Sequence, residues 1–136
     1  MKYLLDTNIC VYLLRGKHPV VANRVREHSA EGIAVSTVAV AELRYGTDKS
    51  AQPEHNHSIV SKLLMPLEIL DFDSGAADAY GRIRAELEQR GTPIGSLDML
   101  IGAHAVSQNL ILVTHNTSEF SRIPGLQIED WALESS

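Results

Sequence analysis

Lys2-Tyr3-Leu4-Leu5-Asp6-Thr7-Asn8 is the stretch whose reading decides the fold of this chain. Tyr3, Leu4 and Leu5 form an apolar run too short for a helix and of the kind a buried parallel strand uses. An acid ends the run, and Thr7 and Asn8 behind it are residue types that cap helices. Ile9, Tyr12 and Leu13 then recur at helical spacing as far as Gly16, a natural helix stop. The prediction is strand, tight turn, helix, with the Asp6 carboxylate at the carboxyl end of the strand. Open α/β sheets bind their ligands there. A plainer role is open to the same residue, because an acid in that place also caps the helix that follows. What separates the two is whether other carboxylates converge on Asp6.

Outward from this unit the alternation of strand and helix repeats. Val20, Val21 and Val25 with Arg24, Arg26 and Glu27 predict a short amphipathic helix after His18-Pro19. Glu31-Gly32 is a turn and Ile33-Ala34-Val35 a brief strand; Ser36 or Thr37 then caps a helix reaching about Tyr45 and closed by Gly46. Thr47 to Ser58 is polar and reads as a loop or frayed helix start; its His55 and His57 lack the further ligands a metal would need. A helix from about Asn56 ends near Pro66, and Leu67 to Phe72 predicts a strand near a sheet edge. Ser74 to Arg90 is the clearest helix, with Ala76, Tyr80, Ile83 and Leu87 inward, Arg82, Arg84 and Arg90 on a solvated face, and Gly91 at its end. A helix over Leu97 to Ser107 precedes the apolar strand Leu110 to Val113 and a last strand, Leu126 to Glu129. Trp131 should anchor the C-terminal segment and Ser135-Ser136 should fray. The expected fold is α/β, three layers with a mostly parallel central sheet between helices, as one domain over residues 1–136.

Composition bounds the function. At 136 residues and 44% hydrophobic the chain can bury a real core without staples. Its one cysteine, Cys10, lies within an apolar helix, reads as core packing, and suits a reducing cytoplasm. No signal peptide or spanning segment is read, so no membrane partner is expected. Twelve basic residues against seventeen acidic ones, net −5, argue against sequence-blind nucleic-acid binding by a broad basic face. They do not exclude an enzyme that brings divalent cations to its own carboxylates, because two such ions more than neutralise three acids.

The acids are placed suggestively. Glu42 sits in mid-helix with Val38 and Ala39 one turn back, so its face is less clearly wet than an ordinary surface Glu. Asp98 falls in a first helical turn, where the helix dipole alone would favour it. Yet it shares a face with Ile101, Gly102 and Ala105, expected to pack inward on the sheet, and an inward carboxylate is costly unless paired or bound to a metal. Thr114-His115-Asn116 ends the strand before it at the same sheet edge as Asp6, with Glu119 just beyond. Hard oxygen donors of this kind favour Mg²⁺ or Mn²⁺ and suit phosphodiester hydrolysis.

These residues resemble a family. Leu4-Leu5-Asp6-Thr7-Asn8, Ala41-Glu42-Leu43 with Tyr45-Gly46, Pro93-Ile94-Gly95 with Asp98 and Ile101-Gly102-Ala103-His104-Ala105, and Val113-Thr114-His115-Asn116 with Glu119-Phe120 are similar to the motifs of PIN-domain ribonucleases, and more narrowly of the VapC toxins of VapBC toxin–antitoxin pairs. The resemblance spans nearly the whole chain in order. It implies a Mg²⁺-dependent endoribonuclease, with Mn²⁺ as a substitute, acting on tRNA or ribosomal RNA. It implies a homodimer, inhibition by a cognate VapB-type antitoxin whose C-terminal segment fills the active-site groove, and contact with DNA only through that complex. By position Asp6 and Asp98 become the principal metal ligands and Glu42 the third acid, while Asn116 stands where many PIN domains place a fourth acid. Asn116 can ligate through its carbonyl or position water, and Glu119 can supply the missing charge. His115, next to Asn116 on an extended segment, is expected to point away.

Two rivals predict other behaviour. A phosphoaspartyl enzyme of the haloacid-dehalogenase type needs a second Asp two residues after Asp6, where this chain has Asn8, and a receiver domain needs a Lys near the last strands. A non-catalytic module keeping the fold would cleave nothing with any metal.

Overall fold

The computed structural model describes residues 1–133, so Ser135 and Ser136 lie outside the described part of the chain. Five strands, β1 (Tyr3–Leu5), β2 (Ile33–Ser36), β3 (Glu68–Leu70), β4 (Ile111–Val113) and β5 (Gln127–Glu129), form one sheet in the order β3-β2-β1-β4-β5. Every pairing is parallel; Leu4 sits between Ala34 and Leu112 in register. The expected mostly parallel sheet is therefore wholly parallel. Helices α1 (Thr7–Arg15), α2 (Pro19–His28), α3 (Thr37–Asp48), α4 (Pro53–Leu64), α5 (Ser74–Gln89), α6 (Ser96–Gln108) and α7 (Thr117–Phe120) complete an α/β/α arrangement.

The central strands earn their place by composition. Tyr3, Leu4, Leu5, Ala34, Val35, Leu112 and Val113 are all buried, as parallel strands covered on both faces require. β3, with Glu68 and Ile69 exposed, is an edge, as its mixed sequence predicts. From β1 the chain builds outward through β2 to β3, then returns to place β4 on the other side of β1. That reversal opens a crevice beyond the carboxyl ends of β1 and β4, the usual ligand site of such sheets.

Helix boundaries follow caps more than turn residues. Asp6 caps α1, accepting from the Ile9 amide at 2.8 Å, so Thr7 is already helical; Gly16 ends the helix in the left-handed region at φ 65°. Ser36 caps α3 and Asp73 caps α5 through their side chains. Gly46 does not close α3. The helix runs on to Asp48 because Leu43 and Thr47 are buried and outweigh the roughly 1 kcal/mol penalty of an internal glycine. Likewise α4 starts at Pro53, ahead of Asn56, since proline suits a first helical position. His55 and His57 are exposed on it. The one-turn α7 has too little periodicity to be foreseen.

Cys10, Trp131 and the inner faces of α5 and α6 are buried as expected. At Gly102 itself the neighbours are the side chains of Phe120 and Ile123. A buried polar clamp joins two site-bearing helices: His104 Nδ1 on α6 lies 2.9 Å from Ser36 Oγ, which also accepts from the Val38 amide. Burial holds the His104 imidazole below its ordinary value, opposed by Asp73 and Asp71.

Candidate active site

The sheet brings together the acids that lie far apart in the chain. Asp6 leaves β1 with its amide bonded to the Val113 carbonyl at 3.1 Å, which fixes it beside the end of β4. It is 2% exposed, and burial raises its carboxyl to about 6 against an ordinary 3.8. Hydrogen bonds from the Thr114 hydroxyl and Ile9 amide oppose the rise, while the charges of Asp98 and Glu42 add to it. Asp98, half-buried on α6, is raised first by burial, then by the charges of Glu119 and Glu42 and by a carboxyl–carboxyl hydrogen bond with Glu119; Asn116 pulls the other way. Asp6, Glu42, Asp98 and Glu119 therefore share one electrostatic neighbourhood, built from β1, α3, α6 and α7.

Neutral side chains hold these acids in place. Thr7 Oγ1 donates to Glu42 Oε1 at 2.8 Å, so the mid-helix glutamate turns into the crevice rather than to bulk water. Asn116 Nδ2 donates to Glu119 Oε2 at 3.1 Å, and its own amide donates to Thr114 Oγ1 at 3.0 Å. His115 points the other way, as predicted, with Nδ1 2.9 Å from Asp130 Oδ2. Thr7 and Thr114 were not foreseen as site residues. Their signal is a hydroxyl just past a buried strand, Thr7 two residues after β1 and Thr114 one after β4.

The donor set is oxygen-only and hard, which fits a divalent ion of the Mg²⁺ or Mn²⁺ kind. Among the described residues no three His, Cys, Asp or Glu side chains already stand close enough to grip an ion. On the α3–α4 side of Thr7 and Glu42 opens a groove of about 890 Å³, lined mainly by apolar side chains such as Val11, Leu14, Val38, Ile59 and Leu97.

Sequence comparison agrees with this geometry. The family described as PIN domain matches residues 3–126, and the chain belongs to the PIN-domain family. Among its relatives, "Ribonuclease VapC2" of Rickettsia felis is 47% identical over 133 residues, covering 96% of this chain and 98% of that protein. The "tRNA(fMet)-specific endonuclease VapC" of Salmonella typhimurium is 42% identical over 131 residues, with 96% and 98% covered. The solved structure of VapBC2 from Rickettsia felis bound to a promoter DNA fragment superposes with a TM-score of 0.92 at 43% identity, covering 96% of this chain and 99% of that one. Within the PIN-domain family the chain sits with the VapC ribonucleases.

Proposed function

We propose that this chain is a metal-dependent endoribonuclease, the toxin of a VapBC pair, hydrolysing phosphodiester bonds in cellular RNA. The observation that carries this is the gathering of Asp6, Glu42, Asp98 and Glu119 at the β1–β4 crevice. VapC nucleases of this kind depend on a divalent metal; here Mg²⁺ is the resident ion, with Mn²⁺ as substitute. Asp6, Asp98 and Glu42 would hold it. Such an ion supplies Lewis acidity, activating water and offsetting charge on phosphate oxygens.

The protein's own groups do the rest. Thr7 and Asn116 fix Glu42 and Glu119, so that the oxygens need little reorganisation when substrate arrives. Asp98, its carboxyl raised by burial and by the neighbouring acids, lies with Glu119 beside the place a scissile phosphate would take. Asn116 replaces a charge with a carbonyl, leaving Glu119 as the fourth acid.

The substrate is tRNA or ribosomal RNA, and the initiator tRNA named for the Salmonella typhimurium relative is the first to test. The apolar groove suits the C-terminal segment of a VapB-type antitoxin, in line with the VapBC complexes to which the fold is similar, and DNA would be met only through that complex. A cytoplasmic homodimer is the expected form; among the described residues no helix is long and apolar enough to cross a membrane.

Cleavage of RNA by the purified protein tests the proposal. Asp98→Asn should lower the rate by roughly 100-fold or more, the scale on which single charge-stabilising groups act. EDTA should stop cleavage and Mg²⁺ or Mn²⁺ restore it; undiminished cleavage in chelator would refute the metal mechanism.

A further inference from the structure

A second constellation, built on α1 and on the segment after β4, is not used by the acids. Tyr12, on α1, stacks on His18 with ring centroids 4.0 Å apart and planes 27° from parallel. The left-handed Gly16 turns the chain so that His18 returns onto Tyr12. His18 precedes α2 but makes no side-chain capping bond, so helix capping does not account for its ring. His115 stands 6.3 Å from Tyr12, tilted by 59°, and Asp130 Oδ2 orients it at 2.9 Å. Its side chain is 50% exposed while that of Asp130 is 10% exposed, a fixed imidazole presented to solvent. His115 is the chain neighbour of Asn116, which binds Glu119, so the shelf and the acids share one segment although the His115 ring faces away from them.

The turn that carries His18 is basic. Arg15 and Lys17 flank Gly16, both are exposed, and among the described residues neither forms an ion pair. In a chain of net charge −5, these two cations give the turn a local positive charge beside the stacked pair. Aromatic faces with adjacent cations are the usual platform for unpaired bases, and they tolerate any base because each has a π face.

We propose that the Tyr12–His18 stack is a nucleobase platform of the candidate ribonuclease site. An unpaired base of a single-stranded RNA segment continues the pile on the exposed face of His18, and Arg15 and Lys17 meet the strand's phosphates. This rests on the ribonuclease reading, since an RNA strand lying across the acids is what delivers a base to the shelf.

The test is binding of a short single-stranded RNA carrying 2-aminopurine, in EDTA so that binding is read without cleavage. The unaltered protein should bind and quench the 2-aminopurine emission. His18→Ala should weaken binding about 5- to 150-fold, the range for losing one stacked base, and abolish the quench. His18→Phe should retain both, and His18→Lys neither, which separates ring from charge. Because His18 is exposed, the thermal midpoints should be unchanged. Equal binding and quenching by His18→Ala, or rescue by Lys as good as by Phe, would overturn the platform. Loss of antitoxin affinity with RNA binding intact would assign the shelf to the antitoxin and overturn it too. If the unaltered protein cleaves RNA in Mg²⁺ while binding ignores His18, the platform alone falls. If it neither binds nor cleaves, the ribonuclease reading falls with it.

Discussion

Asp6 caps α1 through Oδ1 and also faces the other acids, so its carboxylate serves folding and the site at once. The two roles make opposite demands. A cap favours the charged form, whereas burial and the neighbouring acids favour the neutral one, and burial wins, with a value of about 6. Because this lies above the ordinary 3.8, folding favours protonated Asp6. The resulting stabilisation is full below the unfolded value and is lost as pH rises through about 6. The shift corresponds to roughly 3 kcal/mol in the metal-free protein. Asp6→Asn keeps an oxygen acceptor for the Ile9 amide and stays neutral. It should therefore be more stable than the parent at pH 7 in chelator, and the pair should converge towards pH 4. Denaturant unfolding at both pH values checks this; a variant less stable at pH 7 would mean that the cap outweighs the repulsion.

Among elements, α6 matters most, because it carries Asp98, packs along α5, and is clamped to the start of α3 through His104 and Ser36. Its contact with the α7 segment depends on a missing side chain. A Cβ at Gly102 would come within 2.4 Å of Ile123 Cδ1 and 3.5 Å of a Phe120 ring carbon. Gly102→Ala should cost about 1–3 kcal/mol by overpacking and reduce cleavage, since Phe120 adjoins Glu119. Ile123→Val removes the clashing methyl, so the double variant should regain much of both losses. Chemical denaturation and RNA cleavage measure the two effects. Strictly additive losses in the double variant would show that the contact is not the cause.

For the whole molecule, the sheet order sets the acids on one side of Thr7 and Glu42 and the apolar groove on the other. A partner filling the groove would reach the acids without reshaping the sheet. Ile59, 37% exposed on α4, and Tyr45, 66% exposed on α3, line the groove. Ile59→Lys should leave cleavage and stability within experimental scatter and weaken neutralisation by the antitoxin by about 10-fold, the cost of a charge in an apolar contact. Titrating antitoxin into a cleavage assay reads this, and unchanged inhibition would place the antitoxin elsewhere. A cation gathered by the acids should likewise stabilise the fold as a whole. At a hundredfold excess over its dissociation constant, Mg²⁺ should add about 2.7 kcal/mol to the parent and much less to Asp98→Asn.

Strand and helix identity apart from α7, the buried β1 and β4 and the edge character of β3 were legible in order along the chain. Local physics sets them: apolar runs that bury, caps that start helices, glycine that ends α1. Where local signals conflicted, tertiary contact decided, as when the burial of Leu43 and Thr47 carried α3 through Gly46. The sequence alone determined which side chains could bind a hard cation. Only the folded sheet decided that Glu42 turns inward to Thr7, that Glu119 meets Asp98, and that Tyr12, His18 and His115 form one shelf. Those pairings join residues from separate elements, and no spacing within one helix or strand can encode a distance across the crevice between them.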